Sequence, residues 1–184
     1  MSTIIDRIAR RFSQLAAGGA SLSMVLLFLI VFVNSVRRYT IGKSFEWGEE
    51  LPIYLGIYGV MFGMAWAYIQ DRHIRFTLLV RFLSESMTRK LYIIVDLIMV
   101  LNGLLLVYSG WMFVIKRGRL ESPGIINMAK WFKALAGWDG MIWIGHMYPY
   151  QAAIVIGGAL LTIAALLKLS MRLTEKPATQ ATGE

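Results

Sequence analysis

The chain has no cysteine among its 184 residues. Disulfides, thiolate nucleophiles and zinc-thiolate sites are thereby excluded, while the redox state of its compartment stays open, because a chain without thiols is at home in either. Histidine is nearly as scarce, with only His73 and His146. Charge is scarce too: 16% of residues are Asp, Glu, Lys or Arg against 57% apolar, and the mean hydropathy is +0.59. A water-soluble domain of this size needs more polar surface than that. Signatures of common catalysts are also missing: there is no phosphate loop, no dinucleotide glycine fingerprint, no HExxH and no Ser-His-acid set in a local motif. Neither an enzyme nor a bound cofactor is expected.

What the chain does have is long apolar runs, at 15–36, 51–69, 91–115 and 147–167. At ~1.5 Å per residue the 51–69 run makes a helix of roughly 28 Å, close to the hydrocarbon thickness of a bilayer. The reading is an all-α polytopic membrane protein with four transmembrane helices in a single membrane domain, 1–169, followed by a partly disordered cytoplasmic tail, 170–184. The formal charge of +8 does not point to nucleic acid, since the bases sit at the ends of apolar runs where anionic headgroups attract them. The first run is too long for the core of a signal peptide and ends in Arg37 and Arg38 with no small-residue cleavage pattern, so it reads as a retained anchor. Ahead of it, Ile4, Ile5, Ile8 and Phe12 form an apolar stripe suited to an interfacial helix that feeds the span.

The connections carry patterns of their own. Segment 70–90 has Ile74, Leu78 and Phe82 at helical steps among several bases, which predicts an in-plane amphipathic helix between the second and third spans. Segment 116–146 holds Trp131, Trp138 and Trp143, which suit a surface lying on the membrane or on another subunit. Bases are more numerous on the side of the termini, which favours a cytoplasmic location for both ends, with 116–146 dissenting.

Three features stand out as candidate sites. Glu46, Glu49 and Glu50 share a helix face beside Trp47. They are either solvated charges at the positive end of a helix dipole, or a polar contact with a partner, or the lining of an anionic passage. Gly56, Gly59 and Gly63 lie on one side of the second span and allow close helix packing. Asp96 is a possible intramembrane polar site because an ionised carboxylate in hydrocarbon is costly, although its place near the start of the third span would also let it sit wet among headgroups. His73 and His146 fall at opposite ends by span count, roughly 30 Å apart, which argues against a shared haem or metal site. No inverted repeat or broken helix marks a complete transporter.

Trp47-x-Glu49-Glu50 at the start of the second helix, Arg72-His73-Ile74 at its exit and the amphipathic segment beyond are fairly specific when they occur together. In these features the chain resembles the small membrane subunit of tripartite ATP-independent periplasmic (TRAP) transporters, the DctQ-like small permease family, over residues 14–169. The resemblance implies a subunit of the bacterial inner membrane, paired with a large permease (M) subunit and served by a periplasmic substrate-binding protein for organic acids. In such a symport system the large subunit would hold the substrate and sodium sites and move as an elevator, while the small one stays fixed in the lipid as a scaffold. Glu46, Trp47, Glu49, Glu50, Arg72, His73 and Ile74 would then serve architecture and subunit contact. Ile74, Leu78 and Phe82, with Trp131, Trp138 and Trp143, would hold the scaffold at its level in the interface. Two other readings stay open: a homo-oligomeric channel for ions or small solutes lined by Glu46, Glu49, Glu50 and Asp96, and a membrane-bound electron carrier or enzyme.

Overall fold

Long apolar sequence with little proline leaves the backbone one economical way to satisfy its own hydrogen bonds away from water, the helix. The structure, a computed structural model, describes residues 2–70 and 84–174. The helices are α1 (Ser2–Ile41), α2 (Trp47–Ile69), α3 (Glu85–Arg117), α4 (Pro123–Ala136) and α5 (Tyr148–Thr174), with a 3-10 helix at Asp139–Gly145 between the last two. Among the described residues 4 helices, α1, α2, α3 and α5, are long and apolar enough to cross a membrane.

Helix ends follow local chemistry, so the helices outrun the apolar runs. Ser84 caps α3 by accepting the Met87 N–H at 3.4 Å, so the helix starts ahead of the run that begins at 91. Gly42 (φ 74°) and Gly137 (φ 67°) end α1 and α4 in the left-handed conformation that glycine adopts without strain. Pro123 and Pro149 each lie in the first turn of a helix, where a missing N–H costs least, whereas Pro52 lies inside α2. The part of the expected in-plane helix at 85–90 belongs to α3. The rest, including Arg72, His73, Ile74, Leu78 and Phe82, lies outside the described residues, as does the tail beyond 174.

With 40 residues α1 is about 60 Å long, twice the hydrocarbon thickness. Its first turns are continuous with the span, and Phe12 packs against a core of Tyr68, Leu161, Ala164 and Ala165. The helices stand in a row: α3 along α5, α5 against α2, and α2 against α1, which also touches α5. α4 and the 3-10 helix form a lid over one end of the row, opposite the end that bears the termini.

Lipid tails give apolar side chains no incentive to leave them, so these helices associate where backbones can approach. The tightest seam is α3 on α5. A Cβ added at Gly158 would stand 2.7 Å from the Val107 nitrogen, one at Gly103 would stand 2.9 Å from the Thr162 nitrogen, and one at Gly110 the same 2.9 Å from the Val155 nitrogen. On α2, Gly59 faces the Met24 methyl of α1 and Gly56 has ordinary contact with Leu27, whereas a Cβ at Gly63 would meet nothing within 4 Å.

Candidate functional site: two polar junctions

At the lidded end the acidic cluster of α2 meets α4. α4 has no acid in its own first turn, and the Ser122 side chain makes no cap bond. Its unsatisfied N–H groups and the positive end of its dipole are served from a distant part of the chain. The Glu50 carboxylate accepts the Ser122 hydroxyl through one oxygen and the Gly124 N–H, at 3.2 Å, through the other. Ser122 is wholly buried there. The approach is close because residue 124 is glycine, where a Cβ would stand 2.6 Å from the Glu46 carbonyl oxygen. Glu46 accepts the Asn127 amide at 2.8 Å. Glu49 turns the other way and accepts the Ser44 hydroxyl at 2.7 Å, within the connection from α1.

The same end is tied to α1 and α5. Asn34 accepts the Phe45 N–H at 2.6 Å and packs against Gly48, while the Phe45 ring lies between the Arg37 guanidinium, 3.7 Å from its centroid, and Trp47, at 5.1 Å. Tyr54 stacks on Tyr150 at 4.3 Å, and the Tyr58 hydroxyl donates to the Pro149 carbonyl at 2.5 Å. The chain entering α4 also pairs with the chain leaving the 3-10 helix: Ser122 N–H donates to Gly145 at 2.9 Å and Met147 N–H to Leu120 at 2.9 Å. His146 sits in this strap, its Nδ1 3.0 Å from the Ile142 carbonyl. On the rim, Lys133 lies 2.6 Å from Asp139, and this hydrogen bond and charge hold the Asp139 carboxyl below its usual range. Trp131, Trp138 and Trp143 all project outward from the lid.

Asp96 is the centre of the second junction, near the end that bears the termini. It is fully buried and joins α2, α3 and α5: the Tyr68 hydroxyl donates to Oδ1 at 2.5 Å, and Arg172 Nε lies 3.3 Å from Oδ2. The Arg172 guanidinium also covers the Tyr92 ring at 4.4 Å, and Arg89 donates to the Arg172 carbonyl at 3.1 Å. Lys168 is buried one turn before Arg172. Beside this group the Gln70 amide donates to the Ser13 hydroxyl at 2.9 Å, joining α2 to α1. Asp96 is thus enclosed by the bundle on every side.

Most of the residues that complete both junctions carry no local motif in the sequence: Ser122, Asn127, Tyr54 and Tyr58 have none, and Arg172 is one more base after the last apolar run. The one available signal was Tyr54 and Tyr58, a turn apart on a span otherwise poor in polar groups. Among the described residues no group of three His, Asp or Glu side chains converges as a metal site would require.

Helices joined at both ends by fixed polar contacts, four of them long and apolar enough to cross a membrane, make a small polytopic bundle. Residues 27–175, which take in both junctions, match the family described as "Tripartite ATP-independent periplasmic transporters, DctQ component", and the chain belongs to that family, a family of transporter components. It is also 28% identical over 88 residues, 48% of its length, to a Haemophilus influenzae protein named as a TRAP transporter small permease. That match spans 55% of the relative's own length.

Proposed function

We propose that the chain is the fixed scaffold subunit of a TRAP-type transporter for organic acids, residing in the bacterial inner membrane with both termini cytoplasmic and working beside a large permease that carries the solute by an elevator motion. The observation that carries this reading is the use made of its acids. Glu46, Glu49, Glu50 and Asp96 are each held by hydrogen bonds or an ion pair to another part of the same chain. Carboxylates spent in this way brace a body against deformation, which is what the stationary half of a moving pair requires. Family membership supports the same reading.

Under this reading the lid lies on the periplasmic side, where the substrate-binding protein delivers solute, and Trp131, Trp138 and Trp143 settle in the headgroup layer and oppose vertical displacement. Arg72, His73, Ile74, Leu78 and Phe82 are proposed to anchor the other face in the same way and to meet the large subunit. The test is co-purification in mild detergent from cells that express the whole transporter. A large hydrophobic protein is expected to accompany the tagged chain in fixed ratio. Recovery of the chain alone, or as a homo-oligomer that conducts ions by itself, would refute the proposal in favour of the channel reading.

A further inference from the structure

The two edge helices of the row expose different chemistry at the depth of the membrane centre. The outward side of α1 there is mostly hydrocarbon, with Leu22, Val25, Leu26, Phe28 and Leu29 exposed, and its exposed polar side chain at this level is the small hydroxyl of Ser21. α3 differs. Asn102 and Ser109, two turns apart, share an exposed side with Ile98 and Leu105. Asn102 adjoins Gly103, whose contact with Gly158 and Thr162 places it at the middle of α5. From Asn102 either end of the 91–115 run is roughly 16–20 Å away, so its side chain stands near the midplane.

The Asn102 amide donates to the Ile98 carbonyl at 2.9 Å, a bond within its own helix. Among the described residues it has no further hydrogen bond, so its carbonyl oxygen and second N–H face outward. An amide left in this state in hydrocarbon costs several kcal/mol on water-to-alkane scales, and polar side chains at this depth almost always meet protein. We infer that the outward face of α3 around Asn102 is an intramembrane docking surface for a transmembrane helix of the large permease subunit, one that presents a hydrogen-bonding group at mid-depth, while the α1 edge faces lipid. This rests on the scaffold reading above and adds to it which edge is covered and by what chemistry.

The test uses the complete transporter in native membranes. A photo-crosslinking amino acid is placed at Ile98 or Leu105 on α3 and, for contrast, at Leu29 or Phe32 on α1. Adducts with the large subunit are expected from the α3 positions and not from α1. In parallel, Asn102→Leu is expected to lower the large subunit recovered with the chain roughly three- to tenfold, the effect of one interhelical hydrogen bond in lipid, and Asn102→Gln to retain most of it. Because Asn102 bonds only within its own helix, the level of the variant chain in the membrane should not change. Adducts from α1 instead, an α3 adduct with a second copy of the chain, or an undiminished Asn102→Leu complex would each overturn the inference while leaving the scaffold reading intact. A large subunit that fails to co-purify with the unsubstituted chain would overturn both.

Discussion

Glu50 and Asp96 are both carboxylates that tie one helix to others, yet they stand in opposite situations. Glu50 sits at a partly buried edge and serves groups that would otherwise be unsatisfied, the first N–H of α4 and the Ser122 hydroxyl. Asp96 is sealed between three helices and balances a cation, Arg172, with Tyr68 filling its other oxygen. The first is a cap: its loss releases one surface element. The second is a buried pair, and losing one member strands the other inside the bundle. One transporter component thus holds its lid loosely and its membrane body tightly.

That difference can be broken at several points. The largest effect is expected from Asp96→Ala, about 3–5 kcal/mol of stability lost from the whole bundle, read by thermal unfolding in detergent, because Arg172 loses its buried counter-charge. Replacing both, Asp96→Leu with Arg172→Leu, should recover much of that loss; if the pair variant is as unstable as the single, the cost lies in packing and not in charge. Next comes Gly124→Ala, which drives a methyl into the Glu46 backbone and should cost about 1–3 kcal/mol. Its signature is faster hydrogen exchange over 123–136 with the bundle unaffected. Glu50→Gln, which keeps the shape but removes the charge opposite the α4 dipole, should loosen the same segment by only about 1 kcal/mol.

The smallest effect concerns Asp139. Its carboxyl is held below its ordinary value of 3.8 by the hydrogen bond and charge of Lys133, so the folded state favours the charged form. The contribution is present above that value and is lost as pH falls through the lower, folded value. An NMR titration should show the depressed midpoint and its return toward 3.8 in Lys133→Ala, with no measurable change in melting, since the pair is exposed.

Much of this body is written in the sequence, and unevenly so. The spans are legible because hydrocarbon thickness imposes a length, and Glu46 and Glu50 on one face because a four-residue step does. What Glu50 touches is not legible: its partner Ser122 lies 72 residues away, in a segment whose tryptophans drew attention to its outer face and away from its inner one. Asp96 was conspicuous for its cost, but Arg172 resembled any base at the end of a span until folding brought α5 back beside α3. Gly103 and Gly110, a heptad apart, seal the closest seam, yet they are spaced more sparsely than the strip of Gly56, Gly59 and Gly63.

The scaffold reading is tested most directly by solute uptake into proteoliposomes that hold the chain alone, the large subunit alone, or both, each supplied with the periplasmic binding protein and an ion gradient. Uptake is expected only where the two subunits are together, with none from the chain by itself. Solute movement through vesicles that contain only this chain would contradict it.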